Sequence, residues 1–237
     1  MKGVRGIINP EDINSNNQDD LQLKSTGRLF MNYISKIIVG LFSYLQDHDD
    51  KEIEALFSNA IDVFNALGSW VYGGCSPKIV YPDLQLFVNK ANISTTENFS
   101  HLLDYINWIG NGLYKLLEEN QWIEEHYYES FTLKQSNDVT TGLLFMWRLG
   151  WLIENMKDIS KENNVPTLLQ SYEIFNNLFD AFGRWIYNQE GLINITRSFH
   201  EFKKIFEAKF DPVYNELLEE TKNTKENIAK FLQNLKK

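Results

Sequence analysis

Between residues 26 and 46, apolar side chains recur every three or four positions. This period places them on one face of an α-helix, whereas a half-buried strand would show a period of two. Similar stripes recur along the chain as far as residue 235, and no segment shows the period of a strand. The sequence therefore predicts an all-α fold, a single helical bundle of about seven helices. The first stripe consists of Leu29, Phe30, Tyr33, Ile34, Ile37, Ile38, Leu41, Phe42 and Leu45.

Helix-breaking and capping residues divide this pattern into elements. Gly73-Gly74 is a typical C-terminal cap, Pro166 suits a first helical turn, and Pro212 should interrupt the last helical segment. Residues 1–25 are polar and rich in Asn and Asp, which predicts a flexible N-terminal arm before an all-α domain over residues 26–237. The predicted helices cover residues 26–46, 51–72, a short stretch from 82, 96–128, 138–160, the segment from Pro166 through Ile186, and 192–235.

A nine-residue motif occurs twice, at residues 64–72 and 179–187. Both copies read Phe-x-Ala-apolar-Gly-x-Trp-apolar-Tyr. Residues four apart share a helical face, so Gly68 and Gly183 each form a notch between two aromatic residues. Because glycine inside a helix costs about 1 kcal/mol relative to alanine, we expect another group to approach the backbone closely there.

Two interpretations of the notch remain open at this stage. In the first, Gly68 and Gly183 are helix crossings; in the second, they form the floor of a cavity for an apolar or aromatic ligand. Two arginines close to motif glycines could anchor an anionic ligand if they face such a cavity. The candidate ligand-binding residues are Trp70, Tyr72, Arg148, Arg184, Trp185 and Tyr187.

The motif copies lie 115 residues apart, which suggests internal duplication of a helical pair. In this hypothesis, the helices that hold Gly40 and Gly68 correspond to those that hold Gly150 and Gly183. The dipeptide Phe30-Met31 and its counterpart at residues 145–146 stand near the start of each first helix.

The chain is acidic, with a formal net charge of -9 from 23 Lys+Arg and 32 Asp+Glu. An acidic surface repels phosphate backbones, so no duplex nucleic acid is expected as a partner. No apolar stretch approaches the length of a membrane span or of a signal peptide. Cys75 is the single cysteine, which fits a reducing compartment, and we expect a cytoplasmic protein.

The residues that carry common chemistry do not assemble into a recognisable motif. There is no phosphate-binding glycine loop, nucleophile elbow or Cys/His cluster. His101-x-x-Asp104 and His126-x-x-Glu129 reverse the order usual in helical di-metal sites, so they are interpreted as surface histidines. We therefore expect no metal, no cofactor and no catalytic residue, and an enzyme is the less favoured class.

The remaining signal is a high content of residues that favour interfaces. The 237 residues include 6 Trp and 11 Tyr, residue types enriched where proteins bind each other. The leading hypothesis is a non-enzymatic helical interaction protein, a scaffold or accessory subunit with a protein partner or a second copy of itself. The arm and the C-terminal helix with Ile228, Phe231, Leu232 and Leu235 are the expected contact elements. The alternative is a binder of, or enzyme on, an apolar small molecule held between helices.

Overall fold

The computed structural model describes residues 10–93, 100–127, 129, 133, 136–163, 166–205 and 215–235. Within these residues the chain forms eight α-helices and one 3-10 turn, and no strand. The all-α prediction is confirmed, with one helix more than expected. The helices are α1 (Pro10–Leu45), α2 (Lys51–Val71), α3 (Val80–Ile93), α4 (Ser100–Glu119), α5 (Asn137–Asn163), α6 (Pro166–Tyr187), α7 (Ile193–Ile205) and α8 (Asn215–Asn234); the 3-10 turn is Pro77–Ile79.

The bounds of α2 follow from local chemistry. The Asp50 carboxylate accepts the backbone N–H groups of Glu52 and Ile53 at 3.0 and 3.2 Å, which satisfies donors that the first turn leaves free. The helix ends at the predicted pair of glycines, where Gly74 adopts a left-handed φ of 76°. The predicted helix over residues 51–72 is therefore confirmed.

Helix α1 is longer than the sequence predicts. It begins at Pro10 rather than at residue 26, so residues 10–25 of the predicted arm are helical. Proline suits the first turn of a helix, Lys24 pairs with Asp20 one turn earlier at 3.0 Å, and Leu23 packs against the core. The predicted start was wrong because the run of Asn and Asp residues was interpreted as a break. Residues 1–9 lie outside the described residues.

Helix α4 is shorter than predicted. It ends at Glu119, not at residue 128, because Gln121 takes a left-handed φ of 58°. The Trp122 N–H then donates to the Leu117 carbonyl at 2.8 Å, the hydrogen bond of a Schellman cap. The Trp122 ring packs edge-on against Trp70, with centroids 5.5 Å apart. A C-terminal cap without glycine gave no sequence signal, so the predicted end was wrong.

The apolar face of α8 belongs to the core. Ile228, Phe231 and Leu232 are all buried, and the Phe231 ring packs against Phe145 and Trp185 at centroid distances of 5.4 and 5.9 Å. The expectation that this face is a contact element for a partner is therefore wrong, because the protein's own helices cover it. Pro212, where the break before this helix was predicted, lies outside the described residues.

The eight helices form two sets with the same order of contacts. In the first, α1 packs on α2, α2 on α3, α3 on α4 and α4 on α1; in the second, α5 to α8 follow the same scheme. The sets meet through α1 against α5 and α2 against α6. In two of the four pairs the described helices start 115 residues apart, α2 and α6 at Lys51 and Pro166 and α4 and α8 at Ser100 and Asn215, whereas α1 and α5 start at Pro10 and Asn137 and α3 and α7 start at Val80 and Ile193.

Side chains recur at the same offset. Residues 26–31 read Thr-Gly-Arg-Leu-Phe-Met and residues 141–146 read Thr-Gly-Leu-Leu-Phe-Met, a difference at one position. A Cβ added at Gly27 would lie 2.6 Å from the Trp70 ring, and one added at Gly142 would lie 2.6 Å from the Trp185 ring. The helices that hold Gly40 and Gly150, α1 and α5, take the same place in the two sets. The two glycines themselves are not in matching positions, because Gly40 faces open space and Gly150 is buried against Ser35.

Candidate functional site

The two motif copies contact each other directly. The Tyr187 ring lies over Gly68, and the Tyr72 ring lies over Gly183, so that a Cβ added at either glycine would overlap the ring. The predicted close approach to both glycines is confirmed, and the approaching group is the tyrosine of the other copy. The two tyrosine rings stack with centroids 6.3 Å apart and an interplanar angle of 17°.

The tyrosine hydroxyls make matching hydrogen bonds. Tyr72 donates to Asp180 Oδ1 at 2.7 Å, and Tyr187 donates to Asn65 Oδ1 at 2.9 Å, where Asn65 and Asp180 follow the first phenylalanine of each motif. The second Asp180 oxygen accepts from Arg28 at 2.7 Å. Burial raises the pKa of both phenols well above its usual range, so both hydroxyls remain protonated donors.

The six predicted ligand residues are not gathered around one space. Trp70 and Trp185 pack into different parts of the core, against Trp122 and Phe231 respectively. Arg148 lies 3.3 Å from Glu220, and Arg184 lies 3.5 Å from Glu190, as partly exposed ion pairs. The structure brings together only Tyr72 and Tyr187, and their rings fill the space over the motif glycines.

An open groove lies elsewhere, between α1, α5 and α8. This surface, the apolar groove, encloses about 450 Å³, and its exposed lining is mostly apolar. Arg148 is the one predicted ligand residue that lines it, and there its side chain is paired with Glu220. The lining residues are Ile38, Val39, Phe42, Ser43, Thr141, Leu144, Phe145, Trp147, Arg148, Glu220, Asn223, Thr224 and Asn227.

Two large apolar side chains of the groove face solvent. Phe42 is 45% exposed and Leu144 is 47% exposed, although Phe42 lies on the stripe that helical spacing assigns to the core. The indole N–H of Trp147 is buried in the groove wall and has no acceptor among the described residues. An unsatisfied buried donor costs about 1–3 kcal/mol. The groove thus exposes apolar surface beside a donor without an acceptor.

The matching position in the first set of helices carries two aromatic rings, of which Trp108 is itself 57% exposed. There Tyr105 and Trp108 of α4 occupy the positions that Glu220 and Asn223 hold in α8, 115 residues later. Their rings pack against Tyr33 at centroid distances of 6.4 and 5.2 Å. Lys157, the counterpart of Phe42, lies over the Tyr33 ring at 4.8 Å. The groove is open because α8 carries short polar side chains where α4 carries rings.

A second hollow continues from the groove past Phe42. This surface, the acidic hollow, encloses about 550 Å³ around the turn between α1 and α2. Phe42 lines both surfaces, and its ring lies 6.1 Å from that of Phe57. The residues that line the hollow are Phe42, Leu45, Gln46, Asp47, His48, Asp49, Asp50, Glu54 and Phe57.

A further groove, lined mainly by α2 and α3, holds two neighbouring carboxyl groups. Burial, together with the negative charge of Asp62, raises the pKa of Asp83 to about 6. The pKa of Asp62 is also raised by burial. Tyr127 and Glu129 line the same groove, whose volume is about 390 Å³. A carboxyl group that titrates near neutrality can exchange protons, but its neighbours here supply no paired nucleophile.

The described part of the chain contains no group of three or more His, Cys, Asp or Glu side chains placed to hold a metal ion. His101, Asp104, His126 and Glu129 are exposed. None of the helices in the described ranges combines the length and the apolar character that crossing a membrane requires.

Sequence reasoning missed the apolar groove, because Phe42 fits the pattern of core residues. The available signal was the change from Tyr105 and Trp108 to Glu220 and Asn223, which becomes visible only once the 115-residue register is applied to α4 and α8. Comparison of the chain with protein-family models, curated proteins and solved structures found no match.

Proposed function

We propose that this chain is a non-enzymatic helical interaction protein that binds apolar side chains of a protein partner in the apolar groove. The observation that carries the proposal is the groove itself, which leaves Phe42 and Leu144 exposed where the first set of helices carries the rings of Tyr105 and Trp108. Packing alone does not require such an opening, since α4 fills the matching position with Tyr105 and Trp108.

The chemistry of the groove suits a binding interface. Its floor is aromatic and aliphatic, and its rim carries polar side chains such as Asn223 and the Arg148–Glu220 pair. An apolar centre with a polar rim is the usual anatomy of a protein interface.

A small apolar molecule is the second candidate, because the groove volume of about 450 Å³ falls in the range of small-molecule sites. The exposure of Phe42 and Leu144 favours a protein partner over a small molecule, because a compact molecule would leave these two side chains in water. A phosphate or nucleic-acid ligand is disfavoured by the net charge of -9.

Site-specific photocrosslinking in the cell that makes the protein tests the proposal. A photoreactive phenylalanine at Ser43 or Thr141, both of which line the groove, should give a covalent adduct with one protein. The same side chain at the exposed Asn111 of α4 is the control and should not give this adduct. Leu144→Gln should abolish the groove adduct. Identical adducts from Asn111 and Thr141 would contradict the proposal.

We also infer that the two sets of four helices arose by internal duplication. The 115-residue offset between residues 26–31 and 141–146 and between the two motif copies, the repeated contact order and the exchanged tyrosines Tyr72 and Tyr187 support this inference. Exchanging the sequences of residues 64–72 and 179–187 tests it. If the copies are equivalent, the exchanged chain should fold with a loss of stability of about 1–2 kcal/mol, mainly from altered pairing of Arg28 with Asp180. A chain that no longer folds would contradict equivalence.

We propose a cytoplasmic location, on the basis of a single cysteine in 237 residues. Fluorescence microscopy of the tagged full chain would test this, and a signal confined to a membrane-enclosed compartment would contradict it. A homo-oligomer remains the alternative to a separate partner, and sedimentation of the purified chain distinguishes the two.

A further inference from the structure

We infer that the occupant of the apolar groove is a short amphipathic helix with basic residues at the end that reaches the acidic hollow. This inference rests on the proposed binding function of the groove and names the class of partner. Its basis is the continuity of an apolar surface with an acidic one at a single shared side chain, Phe42.

The apolar part sets the shape of the occupant. Along α1 the combined surface runs from Ile38 to Leu45, seven steps of a helix that rises 1.5 Å per residue, and then continues into the turn that follows. Its helical part is therefore roughly 10 Å long, which matches about two turns of a partner helix. A helix of this length presents apolar side chains at positions i, i+3, i+4 and i+7, the pattern that helix-in-groove complexes use.

The acidic part sets the charge of the occupant. Of the four acidic residues that line the hollow, Asp50 is engaged by the N-terminus of α2, through Glu52 N–H at 3.0 Å. Asp47, Asp49 and Glu54 are exposed carboxylates, and the lining contains His48 but no lysine or arginine. An occupant with lysine or arginine at this end gains attraction, whereas an acidic one is repelled.

The lining of the groove outside the acidic hollow is close to neutral, so the preference for basic residues applies only to the part of the partner beside the hollow. There Arg148 and Glu220 form an ion pair 3.3 Å apart, and Asn223 and Asn227 are uncharged. A basic cluster at one end of the partner helix is therefore favoured over a helix that is basic throughout its length. Its apolar face lies against Phe145 and Trp147, and its basic end lies beside the turn between α1 and α2.

Two synthetic peptides measure this preference on the full-length chain. Each has about 14 residues, with leucines at i, i+3, i+4 and i+7, because shorter isolated helices are barely stable in water. In one peptide the remaining positions at one end are lysine, and in the other they are glutamate. Binding is followed by fluorescence anisotropy of the labelled peptide. The lysine peptide should bind at least about tenfold tighter than the glutamate peptide.

Two groups of variants separate the apolar contribution from the charged one. Phe42→Gln combined with Leu144→Gln should weaken the binding of both peptides about tenfold. Leu86→Gln combined with Ile193→Gln, at two more exposed apolar positions outside the groove, should weaken neither. Circular dichroism checks that each variant is folded.

The second group neutralises the acidic hollow. Asp47→Asn, Asp49→Asn and Glu54→Gln together should weaken only the lysine peptide and so remove the difference between the two. The matched control neutralises three exposed acids of α4, through Asp104→Asn, Glu118→Gln and Glu119→Gln. The control should preserve the difference, since it changes the net charge by the same amount at another place.

The outcomes distinguish the inference from the proposed function. If both peptides bind equally and binding is lost in the Phe42 and Leu144 variant, the inference of a basic partner helix is wrong and the proposed binding site in the groove is kept. Binding of either peptide that is insensitive to that variant would overturn both. If neither peptide binds, the inference that a helix occupies the groove is wrong. Self-association that disappears in the same variant would identify a second copy as the occupant and overturn the helix as well.

Discussion

At the level of single residues, glycine is used here to admit a ring rather than to loosen the backbone. Gly68 and Gly183 lie inside α2 and α6, where glycine costs about 1 kcal/mol relative to alanine. Each is covered by a tyrosine ring, and each tyrosine hydroxyl donates to a partly buried acceptor. The loss in helix propensity is thus offset by aromatic packing and a hydrogen bond.

Replacing Gly68 by alanine should therefore destabilise the protein, although alanine is the better helix former. The added methyl group would overlap the Tyr187 ring, and such overpacking costs about 2–3 kcal/mol. The matched control is Gly40→Ala in α1, where nothing lies within 4 Å and a gain of up to about 1 kcal/mol is expected. Urea denaturation of both variants checks this, and a loss of stability at position 40 would contradict the account.

Gln189 adopts a left-handed backbone conformation that strains a residue with a side chain, whereas its counterpart Gly74 adopts it without strain. The two residues lie 115 apart at the ends of α6 and α2, with φ of 53° and 76°. Gln189→Gly should raise the free energy of unfolding by about 0.5–1 kcal/mol because the Cβ clash disappears. Gly74→Ala should lower it by about 1 kcal/mol. Thermal denaturation measures both, and a destabilising Gln189→Gly would show that the glutamine side chain contributes more than the strain.

Asp83 should make the protein less stable as the pH rises from about 4 to about 6. The pKa of its carboxyl group in the folded chain, about 6, lies above its ordinary value of 3.8, so the folded state binds the extra proton in this window. Removing the group by Asp83→Asn should raise the free energy of unfolding at pH 7 by about 1 kcal/mol, a figure reduced for solvent screening, and change it little at pH 4.

The measurement is the difference between wild-type and Asp83→Asn stability across that pH range, which cancels the other titrating groups. Glu118→Gln, at an exposed position of α4, is the control and should give a difference that does not vary with pH. A difference for Asp83→Asn that is also flat would contradict the raised pKa.

At the level of elements, strong periodic patterns and glycine caps were predictable, while caps of other kinds were not. The end of α2 followed from Gly73-Gly74, and α6 from Pro166 and its aromatic stripe. The end of α4 did not, since it depends on Gln121 in a left-handed conformation and on the contact of Trp122 with Trp70. That contact joins distant parts of the chain, and no local pattern carries it.

The role of α8 in leaving the groove open can be tested by introducing into α8 an aromatic residue that α4 carries at the matching position. Asn223→Trp places an indole at the position that Trp108 holds in α4. It should cover Phe42 and Leu144, raise stability by about 1 kcal/mol, and weaken the lysine peptide about tenfold. Asn111→Trp, on an exposed face of α4, is the control and should do neither. Unchanged peptide binding by Asn223→Trp would show that the peptide lies elsewhere.

At the level of the whole molecule, the candidate site emerges only from assembly. The apolar groove needs α1, α5 and α8 together, and the last two of these begin 127 and 205 residues after Pro10. Sequence reasoning found Arg148, which lines the groove, but assigned it to the tyrosine motif. Phe42 was predicted as core because helical spacing shows which face is apolar without showing whether another helix covers it.

The exchange of Tyr72 and Tyr187 also determines how the chain loses its structure. The glycine notch of each set of helices is filled by a tyrosine of the other set. Neither set can therefore unfold without leaving a cavity in the other. We expect unfolding to be a single cooperative transition despite the repeated plan. Tryptophan fluorescence and far-ultraviolet circular dichroism should give coincident urea curves, and in Tyr187→Ala the two should separate. A chain built as two matching halves would then behave as one folding unit, held together by a pair of reciprocal rings.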